Sequence, residues 1–336
     1  MAGQKGEKER ERAFYENGGK LHEKLIASCN GRPIPIRSYS CEELLRATNN
    51  YDPSHIFHRD KWYNGSFEGR MISIKKYSRY DKNSLFTDIA VSAKMSTHNN
   101  VLKLIGCCLE AQVPISVYES AANGSLSGRL FNVTSDHDGA QQHQREPLSW
   151  QSRLKIAREI AHAVSYLHTA FSRPIIHRDI KSGNVFLDQN NVAKLTDFSL
   201  SISIPEGQTH VEDVVYGTVN FVCPHYMVTG YITEKVDVYG FGSFLLELLA
   251  GQSKWKDLFC NPDSFDVEDF ENDKFFFAIN EVVDPAILVG EEGSVVWQQL
   301  QAVLRLALIC RKKDPEIRPN MVDVTKELRK IERFIL

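Results

Sequence analysis

The sequence predicts an α+β chain of two lobes, a small β-rich one followed by a larger helical one. Three observations carry this. Between residues 56 and 118, short runs of β-forming residues alternate with a single helical stretch. From Ser149 onward, apolar residues recur every three or four positions. The length, 336 residues, is that of two domains at about 150 residues each. Apolar residues make up 42%, enough for a sizeable core and too many for a disordered chain. With 40 basic and 43 acidic side chains the net charge is −3, which argues against a nucleic-acid binder.

The boundaries follow from the pattern: an N-terminal extension over 1–44, a small lobe over 45–120 and a large lobe over 121–336. Residues 1–25 alternate six basic and five acidic side chains and read as a solvated helix or a frayed tail. Pro33 and Pro35 favour an extended segment, and Ser40 can cap a short helix reaching Asn49. Met71–Lys75 and Val113–Tyr118 have strand character, with a helix between them over Ser84–Met95. Residues 132–146 are polar and aperiodic and read as an exposed loop. Ser149 is placed to cap a helix whose apolar face is Leu154, Ala157, Ala161, Val164 and Leu167. Tyr239–Leu249 reads as a buried helix ended by Gly251. Residues 257–273 carry seven acids and no base, and Trp297–Ile309 and Met321–Ile335 read as amphipathic helices.

Seven cysteines, an odd number with no C-x-x-C pair, argue against a disulfide framework and a zinc site. The charged start lacks the apolar run of a signal peptide, and no apolar stretch approaches the ~20 residues that span a bilayer. These features point to a cytoplasmic chain in a reducing compartment.

The motifs that carry chemistry lie together in order. His177-Arg178-Asp179 is followed by Lys181 and Asn184, then by Thr196-Asp197-Phe198-Ser199. Upstream, Ile72-Ser73-Ile74-Lys75 stands where V-A-I-K would stand. Val117-Tyr118-Glu119, Asp237-Val238-Tyr239-Gly240-Phe241-Gly242 and Arg318-Pro319 complete the set. The chain resembles the protein kinase fold, most closely the plant receptor-like and Pelle-type kinases. By that resemblance Asp179 would accept the substrate proton and Lys181 would neutralise the transferring phosphate. Asn184 and Asp197 would hold Mg²⁺, while Lys75, paired with Asp88, would contact the ATP phosphates.

The departures from this pattern are as informative. The stretch before Lys75, Ile56 to Asn64, holds none of the glycines that let backbone amides approach phosphates, and Asp60 adds a negative charge. Placing Trp62-Tyr63 on the family's V-Y makes the loop shorter by about three residues. Asp88 is one methylene shorter than the usual Glu. Ser73 replaces the Ala that packs on adenine, where a hydroxyl must find a hydrogen bond. Ser199 replaces the Gly of D-F-G, which restricts its backbone. Cys223-Pro224-His225 stands where A-P-E would stand, and His225 cannot pair with Arg318. Losing one partner of a buried pair costs on the order of 3–5 kcal/mol unless the site is rebuilt. Retention of Asp179, Lys181, Asn184 and Asp197 then means either weak surviving chemistry or a structural duty.

Cys29-Asn30-Gly31, Ile34-Pro35-Ile36-Arg37-Ser38, Ala47-Thr48-Asn49-Asn50-Tyr51, Tyr166–Phe171 and Ser201–Gly207 sharpen the resemblance. Together they are similar to the HopZ-ETI-deficient-related kinases of plants. That resemblance implies a short cytoplasmic pseudokinase acting as an adaptor in innate immunity. Its partners would be the leucine-rich-repeat domain of an NLR receptor, receptor-like cytoplasmic kinases and bacterial effector enzymes, and it would reach the plasma membrane only peripherally. The alternative is a weakly active receptor-like cytoplasmic Ser/Thr kinase. No cofactor would be required, although weak ATP and Mg²⁺ binding fits the retained residues. The activation segment, with Ser199, Ser201, Ser203, Thr209, Tyr216, Thr218 and His225, reads as a sensing surface or as an ordinary loop. Ile34 and Ile36 share one side of an extended stretch. They either contact the receptor or pack on the small lobe's own sheet.

Overall fold

The computed structural model describes residues 2–29, 36–58, 62–77, 82–131, 147–260, 279, 281–288 and 294–333. The chain divides into two compact units. The first comprises the chain up to Ser125 together with Phe186–Ser201. It therefore takes in the extension over 1–44 as well as the expected small lobe, and it gains a segment from later in the chain. That segment joins through backbone hydrogen bonds: Leu195 exchanges them with Asn100 and Leu102, and Leu187 with Asn123 and Gly124.

The centre of the first unit is a six-stranded sheet. In chain order its strands are β1 (Arg37–Ser38), β2 (Ile56–His58), β3 (Trp62–Phe67), β4 (Arg70–Lys76), β5 (Leu104–Cys108) and β6 (Ile115–Glu119). They lie in the order β1-β5-β6-β4-β3-β2. β1 runs parallel to β5, and the other neighbours are antiparallel. Buried residues on β3, β4 and β6 point to both faces, as expected of a sheet covered on both sides. One face carries Trp62, Cys107 and Tyr118 under α3 (Lys82–Met95), through Leu85, Phe86 and Ile89. The other carries Tyr63, Ile72, Ile74 and Val117 under α2 (Cys41–Ala47), through Leu44 and Ala47. Ser40 caps α2 in a reciprocal box with Glu43, as its position predicted. Gly106 is required where β1 meets β5: a Cβ there would lie 2.6 Å from the Tyr39 ring and closer still to the Arg37 carbonyl.

The charged start forms a long helix, α1 (Ala2–Cys29), that is docked rather than wholly solvated. Leu21 is buried against the sheet core, with Leu25 and Ile36 packed beside it. Asn17 is also buried, and its amide donates to the carbonyls of Leu109 and Ala111, both at 2.9 Å. The charge pattern hid this dock because the anchor is a polar residue and the apolar stripe is short. Ile36 thus lies half-buried on the small unit's own core, and Ile34 falls outside the described residues.

The second unit is built on α5 (Trp150–Thr169), α7 (Glu234–Cys260), α9 (Ser294–Cys310) and α10 (Met321–Glu332). Shorter helices among the described residues include α4 (Leu126–Leu130), α6 (Pro224–Thr229) and α8 (Pro285–Leu288). Ser149 caps α5 by accepting from the Ser152 amide. Trp150 donates to Gln299 at 2.9 Å, and Gln299 in turn donates to the Ile331 carbonyl. Gly251 does not end α7 but breaks it: φ is +52° there, with helical residues on both sides. A Cβ at this point would lie 3.0 Å from an Arg153 nitrogen, and Arg153 pairs with Asp284 at 2.8 Å. The loop over 132–146 and most of the acidic stretch over 257–273 lie outside the described residues.

Replacing Asn17 by Ala removes the side-chain donor from one buried and one partly buried carbonyl. Urea unfolding should show a loss of about 1–2 kcal/mol. An unchanged midpoint would show that α1 is not anchored through this residue.

Candidate functional site

In the first unit the site is organised by Lys75 on β4. Its register, opposite Trp62 on one side and Ser116 on the other, aims the ammonium at the face under α3. The nitrogen lies 2.7 Å from Asp88 on α3 and 3.1 Å from Asp197. Burial alone would lower the Lys75 pKa, but Asp197 and Asp88 together hold it above the ordinary value. The methylene missing from Asp88 does not prevent the pair. Asp88 also accepts from the Tyr77 hydroxyl at 2.8 Å, the Phe198 amide at 2.8 Å and the Ser92 hydroxyl at 3.3 Å. Burial, reinforced by the Asp88 charge, pushes the Tyr77 phenol well above its usual range.

Ser73 is buried, and its hydroxyl accepts from the Ala121 amide at 3.0 Å, which satisfies the group without any ligand. An aromatic cluster lies on the same face of the sheet. Trp62 lies 5.1 Å from the Tyr118 ring, 4.8 Å from Phe186 and 6.1 Å from Phe57, and His58 and Phe57 also pack on Phe186. Trp62 stands at the family's Val, a position from which the sequence pattern alone does not show this cluster. A bulky aromatic at that position was the available signal. Three residues, 59–61, connect β2 to β3, and they include Asp60, which lies outside the described residues. Asp197 adopts φ +62°. Ser199 has no positive φ, so its side chain is tolerated without left-handed strain in this conformation.

In the second unit Asp179 is fully engaged. It takes Thr218 Oγ1 at 2.6 Å, Lys181 Nζ at 2.8 Å and Asn184 Nδ2 at 2.9 Å. The loop that carries it hangs on Asp237 of α7, a buried carboxylate. Asp237 accepts the His177 and Arg178 amides and contacts His168 Nε2, all at 2.8 Å. Burial alone would raise the Asp237 pKa, yet the His168 hydrogen bond and its neighbours keep it below the ordinary value. Arg178, at φ +74°, spends its guanidinium on Asp213 at 2.9 Å, the Val214 carbonyl at 2.7 Å and the Tyr226 hydroxyl. This ties residues 213–226 to the catalytic loop.

His225 is exposed, and Arg318 is buried with no carboxylate partner among the described residues. Its guanidinium donates to the carbonyls of Lys312 at 2.7 Å, Lys235 at 3.0 Å and Lys313 at 3.0 Å, and to the Cys223 sulfur at 3.2 Å. Arginine offers five donors, so carbonyl dipoles replace the missing ion pair. Of the hydroxyls considered as modification sites, Thr209 and Tyr216 are exposed, Ser201 and Ser203 are half-buried, and Thr218 is committed to Asp179.

The sequence matches the protein tyrosine and serine/threonine kinase family over residues 61–328. It is 42% identical to the non-functional pseudokinase ZED1 of Arabidopsis thaliana, across 98% of this chain and 99% of that one. The chain belongs to the ZED1-related kinases. The serine/threonine-protein kinase ZRK1 of the same plant is 40% identical across 98% of this chain and 95% of its own. The non-functional pseudokinase ZRK2 is 38% identical across 96% and 90%. The family thus carries both kinase and pseudokinase names. No helix among the described residues of this ZED1-related chain is long and apolar enough to cross a membrane.

Glu247, wholly buried on α7, receives the Ser182 amide at 2.7 Å and hydroxyl at 2.8 Å. Burial outweighs these bonds and pushes its carboxyl up to about 8, from an ordinary 4.5. The folded state therefore holds a proton that the unfolded chain releases. Stability from this group is complete at acid pH and falls as pH rises through the interval between those values. Glu247→Gln removes the titration. Melting measured between about pH 6 and pH 8.5 should show the variant gaining on the wild type as pH rises. Parallel melting curves would contradict this.

Proposed function

We propose that this chain is a non-catalytic pseudokinase adaptor of plant innate immunity. The observation that carries the reading is the aromatic cluster on the Lys75 face of the sheet. Trp62, Phe57 and Phe186 pack edge-on or tilted on the face where the kinase resemblance would place a purine, and the Ser73 hydroxyl holds the Ala121 amide. A nucleotide would have to displace packed aromatics and break a buried hydrogen bond, with no glycine loop to hold its phosphates. The chain works without a cofactor, and ATP and Mg²⁺ are at most weakly bound. The family resemblance supplies the partner classes: the leucine-rich repeats of an NLR receptor, modified receptor-like cytoplasmic kinases and bacterial effectors. The work is cytoplasmic, with membrane contact made through partners. Exposed Val214, Tyr216, Val219, Met227 and Val228 around the activation segment offer an apolar docking face.

A second reading, weak Ser/Thr kinase activity, is favoured by the formed Lys75–Asp88 pair and by the complete set around Asp179. Thermal melting separates the two. Ligand at 100 times its Kd would add about 2.7 kcal/mol, so about 1 mM Mg-ATP should leave the wild type unshifted. Ser73→Ala with Trp62→Val frees the amide and empties the purine face, and a shift should then emerge. Transfer of labelled phosphate by the wild type, abolished by Asp179→Ala, overturns the adaptor-only reading. Replacing Leu200–Thr209 with a Gly/Ser linker should abolish co-precipitation of a modified partner kinase and spare that of the receptor. Persistent capture would exclude this segment as the docking site.

A further inference from the structure

The first unit places two cysteines distant in sequence against each other. Cys41 opens α2 and Cys108 ends β5, and their sulfurs lie 3.6 Å apart. The approach is built by the backbone. β1 runs parallel to β5 with Ser38 opposite Cys107, and the Tyr39 amide donates to the Cys107 carbonyl at 2.9 Å. Two residues further on, the Cys41 amide donates to the Glu110 carboxylate at 3.0 Å. The two thiols differ in setting: Cys108 is wholly buried and Cys41 is half-exposed. The neighbouring Cys107 faces the opposite side of the sheet, with Leu21 and Trp62, and does not compete.

We propose that Cys41 and Cys108 form a reversible thiol–disulfide site, with Cys41 as the thiol that meets a hydroperoxide and Cys108 as the thiol that resolves it. The asymmetry of the pair supports these roles. The hydrogen bond with Cys108 draws the Cys41 thiol down to about 7 against burial and the Glu110 charge, whereas the same contact raises Cys108. The thiolate is the nucleophile, so the accessible, more acidic sulfur reacts first. The Cys41 thiolate attacks one oxygen of hydrogen peroxide, the O–O bond breaks and hydroxide leaves, giving a sulfenic acid. The Cys108 sulfur then attacks the Cys41 sulfur, the S–O bond breaks, and water departs with the Cys108 proton. Two thiols have lost two electrons, and one peroxide has become two waters. The sulfurs must close from 3.6 Å to about 2.05 Å. A dithiol such as dithiothreitol reverses the bond by exchange. The cross-link would fasten the start of α2 to the end of β5.

Glu110 lies close enough to make a three-ligand metal cluster with the two sulfurs. Its carboxylate is already held by the Cys41 amide, and a closed structural zinc site takes four protein ligands. The disulfide is therefore the favoured chemistry.

The test treats the full chain, reduced and freed of metal, with equimolar hydrogen peroxide, followed by alkylation and peptide mass spectrometry. The wild type should lose two alkylatable thiols and gain a Cys41–Cys108 linked peptide that dithiothreitol removes. Cys108→Ala should stop at a Cys41 sulfenic acid trapped by dimedone. Cys41→Ser should leave Cys108 reduced. Absence of the linked peptide in the wild type overturns the proposal. So does oxidation of Cys108 at wild-type rate in Cys41→Ser. Stoichiometric zinc uptake that shields both thiols from peroxide also overturns it, and would identify a metal site instead.

Discussion

A single buried ammonium organises the small unit. Lys75 is almost without solvent, so its charge must be met by protein groups, and Asp88 and Asp197 meet it from two different segments. This fixes the height of α3 over the sheet, because Asp88 sits on that helix. It also fixes the segment carrying Asp197, since the Phe198 amide binds the other oxygen of Asp88. Removing any member would leave a buried charge or donor unmatched, which costs more than the cluster itself contributes. The residues that a kinase would use for phosphates and metal are thereby given an architectural task. They fill that task whether or not nucleotide ever binds.

The large unit meets the same constraint with a different solution. Asp237 gathers two amides of the catalytic loop and a histidine; Arg178 spends its donors on Asp213, a carbonyl and a hydroxyl, and Arg318 spends its own on carbonyls and a sulfur. Arg318 shows how a fold absorbs the loss of a partner. With His225 turned out to solvent, three backbone carbonyls and Cys223 take up the guanidinium. The buried cation stays solvated by dipoles, so the substitution does not unmake the end of the activation segment. A scaffold can therefore lose the groups that align a substrate while keeping the loop geometry that once supported them.

The adenine face follows a related logic. Trp62 and Phe57 supply apolar area to their own face of the sheet, and the Ser73 hydroxyl takes up the buried Ala121 amide. Such a face gains stability from its own side chains.

The sequence by itself determined the two-lobed class, the order of the kinase motifs, the caps at Ser40 and Ser149, and the missing glycines before Lys75. All of these are short-range signals: periodicity, spacing or a residue beside its own helix. Tertiary structure decided the rest, because the partners lie far apart in the chain. Charge alternation in α1 gave no sign that Asn17 would bind carbonyls 92 and 94 residues away. His225 announced that an ion pair was gone, but only the packing shows what Arg318 binds instead. Ile36 reads equally well as an exposed contact or a core residue until α1 is seen beside it. Cys41 and Cys108, 67 residues apart, share no motif, and a parallel strand pairing brings them together. Local chemistry names the residues, and the register between distant segments determines which of them meet.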